Sequence, residues 1–254
     1  LAEFWERVFP GLQVRTDIVI AAERDIAWAF HNNSPKLEAV LNDFLRSHRP
    51  RTAFGNIVLQ RYMQSVRWVH NTNTSINRAR FEETIPLFRK FGERYNVDPL
   101  LLAALGYQES RLNQATRSPA GAIGVMQLLP ATGASLGVGD ITELEPNIHA
   151  GTKYFSQLRD RQVPTKGMDH LNTMFMALAS YNAGQTRIRR LRQAAAQQGL
   201  DPNTWHDNVE LLAAREIGRE NVQYVDNIYK YYLSYRRVEK QRAKRATRSD
   251  KQTN

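Results

Sequence analysis

The chain has 254 residues and 42% hydrophobic content, enough for a substantial core and, by length, for one or two domains. It holds no cysteine, which excludes disulfides, thiolate chemistry and cysteine-based metal sites, and it has no apolar run of about 18 residues that would make a transmembrane helix. A formal net charge of +10 points toward anionic surfaces, and its placement matters more than its total.

The sequence opens on Leu1 without a basic-then-apolar leader, which reads as a processed or excised piece. From Val14 to about Phe30, the runs Asp17-Ile18-Val19-Ile20 and Ile26-Ala27-Trp28-Ala29-Phe30 read as short strands. Ser34-Pro35 then marks a helix start, followed by Leu37, Val40, Leu41, Phe44 and Leu45 at helical spacing. Too few strands are present to complete a sheet. Residues 1–75 are therefore expected to be a partial α/β segment and a linker, the latter marked by Pro50, Gly55 and the polar run Asn71-Thr72-Asn73-Thr74-Ser75.

From 76 to 235 the pattern is helical throughout, so the fold class expected is mainly α, preceded by a small α/β fragment. Phe81, Ile85, Leu87, Phe88 and Phe91 form one amphipathic helix, and Asp98-Pro99 opens another with an N-cap and a proline at the first helical position. Asn147 to Leu158 suggests a third. His170 to Tyr181 is almost wholly apolar and should be central, and a last helix runs through Val222, Tyr224, Val225, Ile228, Tyr229, Tyr232 and Leu233. In that last helix Tyr229, Tyr231, Tyr232 and Tyr235 could stack on sugars, but the spacing favours Tyr229 and Tyr232 as core residues. Residues 236–254 hold eight basic residues against Glu239 and Asp250, a net of +6. With almost nothing apolar to offset its ordering entropy, this tail is expected to be disordered or a frayed helical extension. It either holds the chain near an anionic polymer or membrane or is simply a solvated terminus.

Glu109 is the most informative residue. At about 100° per residue, Leu102, Leu105 and Leu112 fall within roughly 60° of it on the helix that begins at Pro99. No Lys or Arg stands three or four positions away to compensate it. Desolvation of a carboxyl there raises its pKa, as a general acid working near neutrality requires. The alternative is a Glu that reaches past the stripe to water, or that pairs with a base from elsewhere in the fold.

Downstream, Gly121, Gly124, Gly133, Gly137 and Gly139 surround the run Val125-Met126-Gln127-Leu128-Leu129, and glycines at that density imply tight turns or close backbone approach. This is not a nucleotide loop, since no strand precedes it and no Gly-Lys-Ser/Thr ends it. A second polar island, Ser180-Tyr181-Asn182-Ala183-Gly184, closes the apolar helix with Gly184 as a C-cap.

Taken in order, Tyr107-Gln108-Glu109-Ser110-Arg111-Leu112-Asn113, Gly121-Ala122-Ile123-Gly124-Val125-Met126-Gln127, Ser180-Tyr181-Asn182-Ala183-Gly184 and the later Glu220 to Tyr224-Val225 element resemble the soluble-type lytic transglycosylase family. The resemblance covers about Phe81 to Tyr235 and implies a lysozyme-like helical catalytic domain over 76–235. It implies non-hydrolytic cleavage of the β-1,4 bond between N-acetylmuramic acid and N-acetylglucosamine in peptidoglycan. Glu109 falls on the family's single acid/base, which protonates the glycosidic oxygen and then accepts the proton of the muramoyl C6 hydroxyl as that oxygen attacks C1, leaving a 1,6-anhydro product. By the same resemblance Ser118 and Gln127 bind sugar or orient the acid, Tyr181 and Asn182 line the cleft, and Tyr224 places its hydroxyl near Glu109. Leu129 stands at a substrate-binding position where many relatives have Met, and Val125 where Leu is usual. The first 70 residues resemble the end of a solute-binding domain, an arrangement similar to the membrane-bound transglycosylases of the F type. That likeness implies a truncated regulatory domain with a ligand of its own. The resemblance further implies a periplasmic setting, with outer-membrane attachment or peripheral membrane association; it implies no cofactor and no nucleic-acid partner.

Competing readings are few. An ordinary glycosidase uses two carboxylates, and Asp140, Glu143 or Glu145 could supply the second, although their Gly- and Pro-punctuated stretch favours surface or capping roles. His149 and His170 do not make the paired-His pattern of a zinc helix. A hydrolytic muramidase on the same fold and a non-catalytic cell-wall or ligand-sensing module remain as alternatives; a nucleic-acid binder is the weakest, because no recognition motif accompanies the basic tail.

Overall fold

The computed structural model describes Arg15, Asp17, His31 and residues 33–48, 75–162 and 167–250. Apart from Arg15 and Asp17, the strands expected between Val14 and Phe30 lie outside the described residues, as do Pro50, Gly55 and the linker positions 71–74. The chain separates into two compact units, Leu1–His70 and Asn71–Asn254. In the first, helix α1 (Pro35–His48) begins where Ser34-Pro35 signals it, the Ser34 carbonyl accepting from the Glu38 N–H at 3.0 Å.

The second unit is built of α2 (Ser75–Tyr95), α3 (Pro99–Ser110), α4 (Pro130–Leu136), α5 (Leu144–Gln162), α6 (His170–Ala183), α7 (Gln185–Gln197), α8 (Glu210–Glu216) and α9 (Arg219–Asp250), with a distorted π-type turn, Trp205–Val209, ahead of α8. Among the described residues there is no strand, only isolated antiparallel bridges joining 117, 123 and 128. No helix among them is long and apolar enough to cross a membrane. The mainly α class expected for this region is what the structure shows. The expected tail, as far as Asp250, continues α9 as helical backbone.

Helix α3 sits at the centre, packed between α2 and α9, while α5 and α9 flank α6, and α7 packs on α6 and α8. Its start follows the sequence signal: the Asp98 carboxylate accepts from the Leu100 N–H at 2.8 Å and Pro99 takes the first helical position. Its interior differs from the expected amphipathic pattern, because Leu101 through Tyr107 are all buried. A helix apolar all round is a core helix. Its end also differs: Arg111 and Leu112 both take left-handed backbone, at φ 57° and 59°. Leu112 therefore lies beyond the helix, buried by the turn and not by a place on the Glu109 stripe.

On α9 the buried face runs through Asn221, Tyr224, Val225, Ile228, Tyr231 and Tyr235, which overturns the expectation for the tyrosines. Tyr229 and Tyr232 are only half-buried. Tyr229 meets Phe175 edge-on, and the Tyr232 hydroxyl donates to Asp98 at 2.6 Å. Helical spacing alone did not fix which of two adjacent faces meets α3.

Candidate active site

Glu109 occupies the last turn of α3, and its Oε1 accepts a hydrogen bond from the Tyr224 hydroxyl of α9. Burial pushes the carboxyl up to about 7, against the hydrogen bond, which lowers it. The two effects oppose each other because burial disfavours the charged form while a donated hydrogen bond favours it. The Tyr181 and Tyr224 phenols are themselves held well above their usual range, first by burial and next by the Glu109 charge. Helices α3, α6 and α9 thus bring Glu109, Tyr181 and Tyr224 into one neighbourhood. The partner that sequence spacing could not supply is a neutral phenol and not a base.

Among the described residues no second carboxylate contributes to the Glu109 shift. Asp140 accepts from the Thr142 N–H at 2.9 Å and is held below the usual range by that contact. Glu145 pairs with Lys90 at 2.6 Å on the surface, and Glu143 is exposed. No three His, Cys, Asp or Glu side chains among the described residues converge as a metal-ligand set. His149 stacks on Phe91 and shares a hydrogen bond with the Tyr95 hydroxyl.

The Gly-rich loop is held against α3 by three polar side chains. The Ser110 hydroxyl donates to the Val125 carbonyl at 2.9 Å. The Gln114 carboxamide accepts from the Val125 N–H at 3.0 Å and donates to the Ile141 and Thr142 carbonyls. Asn147, wholly buried, accepts from the Met126 N–H at 2.9 Å and donates to the Ile123 and Ile141 carbonyls. From the other side the Tyr181 hydroxyl donates to the Met126 carbonyl at 2.8 Å. Gly124 sits inside this lattice at φ 78°, and a Cβ there would lie 2.6 Å from both Asn147 Cγ and Gln114 Oε1. Gly124→Ala is therefore expected to cost about 2–3 kcal/mol, combining a left-handed conformation with a steric clash, as measured by urea unfolding.

The remaining expected site residues divide. Ser118 Oγ accepts from the Ala122 N–H at 3.0 Å, closing a turn. Gln127, at φ 46°, donates to the Thr116 and Gly124 carbonyls. Both therefore hydrogen-bond within the loop and not to Glu109. Leu129, at the N-terminus of α4, is 46% exposed. Asn182 is exposed, and its Oδ1 accepts from Asn221 Nδ2 at 2.8 Å. Gly184 ends α6 at φ 88° as its position suggests.

Sequence reasoning passed over Asn147, Gln114 and Asn221. Asn147 had a legible signal: with Gly151, Phe155 and Leu158 it shares one face of α5 at helical spacing, a lone amide on an apolar stripe. Arg111 was also passed over except as part of a motif. Its guanidinium lies 4.6 Å from the Tyr107 ring centroid and donates to the Tyr231 hydroxyl at 3.2 Å. Tyr224 and Tyr231, two turns apart on one face of α9, thus hold Glu109 and Arg111 at the end of α3.

Residues 86–203 match the Transglycosylase SLT domain. A membrane-bound lytic murein transglycosylase F of Desulfosudis oleivorans is 31% identical over 247 residues, which cover 89% of this chain and 52% of that protein. Its namesake in Erwinia tasmaniensis is 30% identical over 245 residues, covering 90% and 49%. The chain spans about half the length of these curated relatives. The crystal structure of the 70 kDa soluble lytic transglycosylase of Escherichia coli aligns with a TM-score of 0.49 and 24% identity, over 61% of this chain and 24% of that one.

Proposed function

We propose, from the match of residues 86–203 to the Transglycosylase SLT domain, that this chain is a peptidoglycan lytic transglycosylase. It cleaves the β-1,4 bond between N-acetylmuramic acid and N-acetylglucosamine without net hydrolysis and leaves 1,6-anhydro ends. The observation that carries this reading is Glu109, a buried carboxyl raised to about 7 and hydrogen-bonded by Tyr224.

A group that must first give a proton and then take one works best with both protonation states accessible at the operating pH. Burial supplies the acid form, which protonates the glycosidic oxygen. The Tyr224 hydroxyl stabilises the carboxylate left behind, which accepts the proton of the muramoyl C6 hydroxyl as that oxygen attacks C1. The acid is thereby regenerated, and water is not consumed. Inverting glycosidases divide these duties between two carboxylates, and retaining ones use the second as a nucleophile. Around the site, Ser118, Gln127, Leu129, Tyr181 and Asn182 contact the sugars. With its Oδ1 engaged by Asn221, Asn182 offers its Nδ2 donors to an N-acetyl carbonyl.

The names of the membrane-bound relatives support a periplasmic setting, with attachment to the outer membrane and a regulatory ligand for the N-terminal segment as parts of the same proposal. Mass spectrometry of the products released from purified sacculi tests the chemistry. Anhydro-muramoyl ends are expected; reducing-end muramic acid in their place would instead identify a hydrolytic muramidase on this fold.

A further inference from the structure

Excess positive charge gathers in several stretches of this chain, among them the tail, α7 and residues 44–81, the last with seven arginines and no acid. The tail 236–254 holds eight of the 35 Lys and Arg residues and two of the 25 Asp and Glu, and α7 holds four arginines and no acid. The remainder of the chain carries 23 of each sign and is neutral. No Asp or Glu occurs between Asp169 and Asp201.

On α7, Ile188, Leu191 and Ala195 form the buried face. Arg192 is half-buried and engaged with the Pro202 carbonyl and Asn203. Arg187, Arg189 and Arg190 are exposed, and none forms an ion pair among the described residues. Local energetics oppose this arrangement. Basic side chains near a helix N-terminus face the positive end of the macrodipole, and like charges at i,i+3, as in Arg187 with Arg190, repel.

The helix begins beside the active-site neighbourhood. Gly184, two residues past Asn182, is its N-cap. Arg161 at the end of α5 donates to the Gln185 side chain at 3.1 Å, and its charge acts on the Tyr154 phenol, whose ring lies 5.2 Å from that of Tyr181. Near its start α7 therefore carries Arg187, Arg189 and Arg190 within about 5 Å of one another along the axis, with Arg190 lying between the other two on the wheel. Its exposed face, Thr186, Arg189, Arg190 and Gln193, offers no large apolar side chain to enter a lipid layer.

We propose that Arg187, Arg189 and Arg190 on α7 form a contact surface for the carboxylates of peptidoglycan peptide stems, retaining the polymer while the glycan strand occupies the site. This rests on the peptidoglycan reading above. Arginine suits the task, since its planar fork pairs with a carboxylate through two parallel hydrogen bonds.

The test is co-sedimentation of the full chain with purified sacculi, in a Glu109→Gln background so that the polymer stays intact, with and without the added R187Q/R189Q/R190Q substitutions. The triple substitution is expected to weaken binding to intact sacculi by about tenfold at low salt, with the difference shrinking as salt screens the contacts. Sacculi whose carboxylates have been converted to amides should bind both proteins equally weakly. Equal binding of the two proteins to intact sacculi, or an undiminished difference on amidated sacculi, would overturn the proposal. So would a greater effect on phosphatidylglycerol vesicles than on sacculi, which would make the surface a lipid contact. Binding is read without turnover: anhydro products with no binding difference sink only this inference, whereas a binding difference without anhydro products sinks the catalytic reading and leaves the surface standing.

Discussion

Glu109→Gln should abolish release of anhydro-muramoyl products, by roughly a thousandfold or more, because in the proposed mechanism one group performs both proton transfers and, among the described residues, no second carboxylate contributes to its shift. The same substitution should make the protein more stable above neutrality. The folded-state pKa of about 7 exceeds the ordinary value of 4.5, so between these values the folded state holds more protons than the unfolded one. Stability of the parent therefore falls as pH rises across that window and stays reduced above it. Gln carries no charge to desolvate. Its variant should gain up to about 3 kcal/mol over the parent at pH 8, and much less at pH 5, in urea unfolding. A gain of the same size at both values would mean that burial of the charge is not what perturbs Glu109. A variant that is inactive and yet more stable is the pattern expected when a functional group is held at a cost to the fold.

How much of this was legible in the sequence depended on whether the signal was local. The Asp98-Pro99 start, the Ser34-Pro35 start and the Gly184 stop are written in residues that act on their own backbone, and all three stand in the structure. The end of α3 was not legible, because Arg111 and Leu112 take left-handed backbone without the glycine or asparagine that would announce it. Local backbone hydrogen bonds to the Gly106 and Tyr107 carbonyls close the turn, and tertiary contacts add to them, the burial of Leu112 and the Tyr231 hydroxyl on Arg111. Burial of Glu109 could be inferred from its apolar neighbours, although α3 proves apolar on every side. Its partner could not be read from spacing, since Tyr224 lies 115 residues away; only the resemblance pointed to it. The pins beneath the Gly-rich loop belong to the same class. Gln114 and Asn147 act across tertiary contacts, and only Asn147 left a trace, as an amide on an apolar face.

Tyr224→Phe is the sharpest test of how that distant partner works. The ring is buried in α9, and phenylalanine keeps its volume while removing the hydroxyl that donates to Glu109. Because this hydrogen bond lowers the Glu109 pKa against the larger effect of burial, its loss should raise the value above 7. A hydrogen bond to a charged group is worth about 1.5–3 kcal/mol, so the shift should be roughly one to two units. The first proton transfer needs the acid form, so the alkaline limb of the kcat/KM profile, which reports the free enzyme, should move to higher pH by that amount. The rate at neutrality should nevertheless fall, by about ten- to a hundredfold, since the carboxylate that must accept the C6 proton loses both its stabilisation and its orientation. A lower rate with an unmoved alkaline limb would place Tyr224 on the substrate instead of on Glu109. A limb displaced to lower pH would contradict the donor assignment itself. The direction of the limb thus separates a residue that sets the acidity of Glu109 from one that merely lines the site.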